Sequence, residues 1–420
     1  MTRTSPDERL RLQSLDRSSL EAHQIARLNA LFKQILPANE LYARVFEGLS
    51  FPLSSLAELQ NLPYTTKEQL AVGEGGMAAN RTWPIERYVR FHQTSGTHGR
   101  PLAVVDTADD WLWWIDCWQY VLDAADVTAG DCVMMAFSFG PFVGFWSAYD
   151  AAAARGCLVV PGGGMTTVAR LELIRTSRAT IVCCTPIYAL HLAEVGRQRQ
   201  IDVGKLDVRA LILAGEPGGS VPATCERIER AWQARAIDHA GATEVGPWGY
   251  ADREGRGLHV TESEFIAEFR SLATGQPAGA GELAELVLTT LGRIGSPVIR
   301  YRTGDLVRPC WSDNGFVLLE GGVLGRIDDM LIVRGVNIFP SSVEQIVHSF
   351  PEIEEFRVTV RSVDEMDQLT IEIEDRLGQP GRVADELRVR LGLNVAIECV
   401  PIGTLPRSEG KTRRFIDERL

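Results

Sequence analysis

The run Thr94-Ser95-Gly96-Thr97-His98-Gly99-Arg100-Pro101 interleaves hydroxyls with glycines beside a cation. Amides and hydroxyls on such a loop can wrap phosphate oxygens, and glycine lets the chain approach an anion without a Cβ clash. A plain surface turn has the same composition. The run lacks the G-x-x-x-x-G-K-[ST] spacing, and Gly410-Lys411-Thr412 does not supply it, because Leu405 stands where its first glycine belongs. A second stretch, His239 to Pro247, carries Thr243 and Glu244 among small residues. One carboxylate with a hydroxyl suits Mg²⁺, which takes few protein oxygens and completes its shell with substrate phosphates. In Arg300-Tyr301-Arg302-Thr303-Gly304-Asp305, the acid ends a run that follows apolar Pro297 to Ile299. That placement suits a grip on ribose hydroxyls, or an ordinary strand-to-turn aspartate. Gly325-Arg326-Ile327-Asp328-Asp329-Met330 leads into Arg334 to Pro340, and Leu405 to Lys411 puts a lysine beside a glycine. Such a lysine is either a mobile point charge for phosphate or carboxylate, or a solvated tail residue.

The elements that must hold these segments follow from periodicity. Ser18 and Glu21 read as a capping box for a helix burying Leu20, Leu28, Leu31, Phe32 and Ile35, with Pro37 ending it. Ile181–Thr185 before a helix at 188–197, and Ala210–Ala214 before one at 223–235, predict βα units and a largely parallel sheet. After about Gly325 the pattern changes. Val343, Ile346, Val347 and Phe350 predict a short helix. Phe356, Val358 and Val360, then Leu369, Ile371 and Ile373, alternate as two strands. A helix with Val383, Leu387 and Leu391 and a strand at 395–400 complete a separable α+β module. The tryptophans 111, 113, 114 and 118 are assigned to packing.

The chain has 420 residues, 45% of them apolar, enough for two or three domains with proper cores. Its 43 Lys and Arg against 55 Asp and Glu leave a formal charge of −12. That argues against general binding to nucleic acid or to an anionic membrane. No apolar stretch near Met1 reads as a secretory signal. The uncharged run from Cys132 to Tyr149 is broken by Gly140, Pro141 and Gly144, so a buried strand and loop is the better reading than a membrane span. Eight cysteines without a C-x-x-C pair predict reduced thiols and a cytoplasmic location.

Taken in order, these motifs resemble the adenylate-forming superfamily and, within it, the phenylacetate-CoA ligase family. The likeness spans nearly the whole chain: Leu62 to Leu70, Thr94 to Pro101, Phe139 to Phe142, Thr185 to Tyr188, Ala214 to Pro217, Gly257 to Val260, Tyr301 to Asp305, Gly325 to Pro340 and Leu405 to Lys411. It implies a large α/β ATP- and acyl-binding domain over 1–325 and a small mobile α+β domain over 326–420, with a hinge near Asp328. The implied reaction joins a hydrophobic, aromatic carboxylic acid to AMP using ATP and Mg²⁺, then passes the acyl group to coenzyme A. Transfer to a carrier-protein thiol or an amine is the alternative. By resemblance Thr94, Ser95, Gly96, Thr97 and Gly99 hold phosphates, and Glu244 with Thr243 places Mg²⁺. Gly215, Glu216, Pro217 and Asp238 line the adenine slot. Asp305, helped by Arg326, binds ribose, and Lys411 reaches the carboxylate and α-phosphate. Phe139, Gly140, Phe142, Gly241 and Pro247, with Phe145, Trp146 and Trp248, are candidates for the acid pocket. Arg334 is assigned loosely to the second step. Ala240 stands where the family has an aromatic residue against adenine, and neighbouring His239 is the candidate to compensate. His98 and Arg100 replace the family's usual threonine and lysine. No nucleic-acid or membrane partner is expected; a homodimer is compatible with the sequence.

Overall fold

A computed structural model describes residues 4–94, 101–144, 146–216, 218–312, 315–328, 331–333, 336–338, 340–363, 366–391, 395–406 and 414–419. Its centre is a nine-stranded sheet. Five strands run parallel in the order Leu158–Pro161, Cys132–Met135, Ile181–Cys184, Ala210–Leu213 and Arg235–Ala242. Both faces are covered, so successive residues enter opposite cores. Val133, Ile181 and Ile212 join the core containing the four tryptophans, whereas Met134, Val182 and Leu211 join the one containing Trp232. The parallel expectation holds for this half. Four further strands, Gly246–Ala251, Gly257–Val260, Leu318–Glu320 and Pro309–Cys310, extend the sheet antiparallel.

Strand and helix meet at capped turns. Thr185 ends the strand and accepts a hydrogen bond from Tyr188 N, starting the helix Pro186–Gln198. The next helix, Pro222–Trp232, stops earlier than periodicity suggested: Gln233 turns left-handed at φ 52°, and Arg235 already begins a strand. The N-terminal helix spans Arg17–Ile35 and buries the expected leucines, but its cap is Asp16, which accepts from Ser19 N. Ser18 therefore lies inside the helix. The run from Cys132 becomes a strand, a glycine-containing loop and the start of the helix Trp146–Arg155. Among the described residues no helix is long and apolar enough to cross a membrane.

A second sheet orders the antiparallel strands Phe265–Ser271, Ala284–Thr290, Tyr301–Val307 and Gly325–Arg326, with Asp305 paired opposite Arg326. Beyond it, a third sheet pairs Ile353–Val363 with Met366–Asp375, flanked by Phe415–Asp417 and Ala396–Cys399 in parallel register. Helices Pro340–His348 and Pro380–Leu391 pack on it, and Val343, Val347, Val358, Ile371, Val383 and Leu387 form its own core. The expected strands and helices of this module are present. The hairpin Leu331–Val333/Val336–Ile338 and the returning strand Phe415–Asp417 were not read from the sequence.

Candidate active site

Thr94 closes the neck of the phosphate-loop candidate. Its amide donates to Leu102 O at 3.0 Å, and its hydroxyl accepts from Leu102 N at 3.0 Å. Gln93 N donates to Pro141 O at 2.6 Å, which ties this neck to the Phe139–Phe142 loop. Ser95, Gly96, Thr97, His98, Gly99 and Arg100 lie outside the described residues, as do Phe145, Pro217, Arg334 and Lys411.

The strand Tyr301–Val307 gathers the next group. Tyr301, buried, donates its hydroxyl to Glu244 Oε1 at 3.0 Å. Burial, with the Glu244 charge beside it, pushes the phenol well above its ordinary range, so the proton stays on Tyr301 and Glu244 is the acceptor. Four residues along the same strand, Asp305 takes a hydrogen bond from Arg326 Nη1 at 3.1 Å. Arg326 Nη2 reaches Thr303 O at 3.2 Å and lies 3.7 Å from Asp328. Gly304 makes this approach possible: its φ is +76°, and a Cβ there would sit 3.3 Å from Arg326 Nη2. Asp305, Arg326 and the exposed Asp328 thus form one connected cluster, and Tyr301, on the same strand as Asp305, holds Glu244.

Arg300 opens this motif but works structurally. It pairs with Glu268 at 2.8 Å, donates to Gln60 O and Leu62 O, and stacks over Tyr64. The Leu62–Leu70 and Arg300–Asp305 segments therefore touch.

Asp238 lies within the strand Arg235–Ala242, where its parallel pairing ends opposite Leu213. Its carboxylate accepts from the Ser220 hydroxyl and from His239 N. Burial raises it to about 6, against the opposing pull of those two hydrogen bonds. A Cβ on Gly219 would lie 2.2 Å from Asp238 Oδ1, and one on Gly322 would lie 2.6 Å from Ser220 Oγ. Two glycine backbones thus pack closely against this acid and its serine partner. Gly215 (φ +94°) shapes the turn, whereas Glu216 accepts from Ile187 N at 2.9 Å, anchoring that turn to the helix Pro186–Gln198.

His239 does not stand in for the aromatic missing at Ala240. Its buried ring packs 4.2 Å from Trp118, centroid to centroid, and alternation puts it on the other face of the strand from Asp238 and Ala240. Of the acid-pocket candidates, Phe139 packs on Trp146 at 4.6 Å, and Trp146 Nε1 donates to Gly140 O. Phe142 is exposed, Gly241 is exposed, and Pro247 opposes Gly241 across a bulge between the strands Arg235–Ala242 and Gly246–Ala251. Trp248 is core.

Sequence reading missed three contributors. Ser220 and Tyr301 sit beside or inside quoted motifs, but their partners are distant in sequence. The third, Arg293, is fully buried. It donates to Asp106 Oδ1 at 2.7 Å and to Thr243 O at 3.1 Å, and lies over Trp114. No motif marked it. A cavity of about 540 Å³ lies elsewhere, between the helices Pro186–Gln198 and Pro222–Trp232 and the C-terminal module. Among the described residues, none of the predicted site residues lines it.

Comparison with known proteins completes the picture. Residues 66–270 match the AMP-binding enzyme family, and residues 335–419 match the AMP-binding enzyme C-terminal domain. The chain is 30% identical to a phenylacetate-coenzyme A ligase of Thermus thermophilus, over 97% of this chain and 98% of that protein. It is 31% identical to one of Pseudomonas putida, over 98% of each. Among solved structures it superposes on a 2-hydroxyisobutyryl-CoA ligase in a post-adenylation state, in complex with 2-HIB-AMP, with TM-score 0.91 and 24% identity. The match covers 99% of this chain and 94% of that one. The same ligase in its thioesterification state, with CoA, superposes at 0.73.

Proposed function

The chain belongs to the phenylacetate-coenzyme A ligase family of AMP-forming acyl-CoA ligases, and from that premise we propose that it activates a hydrophobic, aromatic carboxylic acid with ATP and Mg²⁺ and hands the acyl group to coenzyme A. The observation that carries this reading is the Tyr301–Glu244 hydrogen bond at 3.0 Å. It fastens a lone carboxylate to the strand that also carries Asp305, so a metal ligand and a ribose ligand share one rigid element. One carboxylate plus phosphates and water is a donor set Mg²⁺ accepts, and the ion supplies neutralisation of the triphosphate charge when bound.

In the first step a carboxylate oxygen of the acid bonds to the α-phosphorus, the bond to the β-phosphate oxygen breaks, and pyrophosphate leaves. In the second, the thiol sulfur bonds to the acyl carbon, AMP leaves with the bonding pair, and the thiol proton is lost to solvent. Negative charge accumulates in the first step, so positioning and fixed charge carry the catalysis. Asp305 holds the ribose with Arg326 steering its carboxylate, Asp238 receives the adenine amino group, and the Thr94–Pro101 loop wraps the outer phosphates. Lys411 brings a compact cation to the two reacting oxygens. Domains 1–325 and 326–420, hinged near Asp328, present Lys411 in one orientation and admit coenzyme A in the other. The 0.91 against 0.73 superpositions on two states of one ligase support such a two-position module.

Pyrophosphate release with a panel of aromatic acids, with and without coenzyme A, tests this. Adenylate followed by a coenzyme A thioester is the expected result. Adenylate without thioester directs the acyl group to a carrier thiol or an amine, and no adenylate with any acid overturns the reading.

A further inference from the structure

The proposed acid pocket is bordered by an imidazole whose role in it nothing above has used. His239 Nδ1 lies 2.7 Å from Gly249 O, and a carbonyl oxygen can only accept, so Nδ1 carries the proton. The other ring nitrogen, Nε2, then presents a bare lone pair. Burial holds the imidazole down to about 4, so it stays neutral through the physiological range. Trp118, with ring centroids 4.2 Å apart, fixes the ring plane, leaving little freedom to flip.

The direction in which Nε2 points comes from its neighbours. It lies 3.4 Å from where a Cβ on Gly241 would begin, and Gly241 itself is exposed. Pro247 Cα stands on the other side of the same point at 3.2 Å. Gly241 is the single residue that Pro247 and Trp248 oppose across the bulge, a device that re-aims side chains beside a site. Pro247 has no N–H to offer. Among the described residues no hydrogen bond to Nε2 is present. This acceptor thus borders a corner formed by Gly241, Pro247 and the Trp118 ring, where the Gly246 carbonyl oxygen, 3.1 Å from the same point, is a second acceptor.

We propose that His239 is a specificity residue: its Nε2 accepts a hydrogen bond from a hydroxyl group on the acid, so the preferred substrates are hydroxylated aromatic acids. This rests on the reading of Gly241 and Pro247 as acid-pocket residues. An unsubstituted ring expels water from Nε2 and leaves the acceptor unpaired, whereas a hydroxyl replaces that water. Sites built to bond a substrate hydroxyl discriminate strongly against the analogue that lacks it.

The test compares kcat/KM for pyrophosphate release with benzoate, phenylacetate and their 2-, 3- and 4-hydroxy derivatives. In the native enzyme at least one hydroxylated acid should exceed its parent by about tenfold or more. His239→Leu should bring that ratio, measured within the variant, to about unity. His239→Gln, which keeps an acceptor, should retain part of the preference and supplies the comparison if the leucine variant does not fold. A native enzyme indifferent to every hydroxyl, or a preference that survives in His239→Leu, overturns the proposal while leaving ligase activity intact. Absence of pyrophosphate release with all these acids and a wider panel removes the parent reading and this one together.

Discussion

Asp238 shows how a single residue converts burial into pH dependence. Desolvation lifts its carboxyl to about 6, while the Ser220 hydroxyl and His239 N pull it back. In the proposed role the ionised carboxylate accepts from the adenine amino group, and the protonated acid is the poorer acceptor. The KM for ATP should therefore fall as pH rises through about 6, and Asp238→Asn should flatten that profile. The stability sign is opposite. An acid whose folded pKa exceeds 3.8 favours the fold below about pH 4 and loses that advantage as pH rises towards 6. Thermal melts at pH 7 should accordingly find Asp238→Asn no less stable than the native chain. A second residue-scale prediction concerns Tyr301→Phe. Removing the hydroxyl that holds Glu244 should lower kcat/KM for ATP by about tenfold, the scale of one hydrogen bond to a charged acceptor, and raise the Mg²⁺ concentration needed for half-maximal rate. Measured rates independent of Mg²⁺ in both proteins would sever Glu244 from the metal. Glu244 and Asp305 were marked as candidates by side-chain chemistry and local spacing, and Asp238 only by the family resemblance. Tyr301 and Ser220 were not, because each acts on a partner distant in sequence, Glu244 and Asp238.

Among the elements, Arg293 joins pieces that the sequence shows as unrelated. It follows the strand Ala284–Thr290, pairs with Asp106 on Ala103–Thr107, covers Trp114 on the helix Ala108–Ala124, and holds the carbonyl of Thr243 beside Glu244. Trp114 Nε1 donates to Asp106 Oδ1 at 3.2 Å, and both partners of the ion pair are 1% exposed or less. His92, stacked on Trp111, approaches the same acid at 4.0 Å, yet burial and the nearby Arg293 and Arg90 hold it down to about 4, so it brings no charge. Arg293→Met strands a buried carboxylate with only an indole to satisfy it. Denaturation midpoints should report a loss of about 3–5 kcal/mol. Replacing Asp106 by Asn in the same chain should recover part of that loss, since an amide needs no counter-charge. A loss that the second substitution leaves unchanged would assign the effect to packing over Trp114. Helices and strands were legible wherever periodicity and caps agreed, as at Thr185. Failures came where one residue decided a boundary, such as Asp16 in place of Ser18 or the left-handed Gln233.

For the whole molecule, the proposed swing of residues 326–420 requires that the contacts of one orientation be broken in the other. One such contact joins Thr224 Oγ1 to His348 Nδ1 at 2.9 Å, across the helices Pro222–Trp232 and Pro340–His348. His348 is surrounded by Arg227 from the first element and by Arg414, itself paired with Glu355 at 2.6 Å, with the Phe356 ring edge-on. Burial first, then Arg414 and Arg227, holds its pKa well below 6.5. In this orientation the imidazole stays neutral, and once the module swings away from Arg227 and the helix Pro222–Trp232 its affinity for a proton rises, although Arg414, in the same module, moves with it. The sign follows: above about pH 6.5 the two orientations bind protons alike, and below it the released one binds more. Each pH unit under 6.5 should therefore favour release by up to about tenfold, equivalent to about 1.4 kcal/mol, until the pKa of the docked state is reached. Fluorescence transfer between dyes on the two modules should fall between pH 7 and 5.5 in the native chain. In His348→Gln, which cannot ionise, the distance should stay constant over that range. A pH response equally large in the glutamine variant would move the sensor to other groups, whereas a flat response in both would mean that the swing leaves His348 buried.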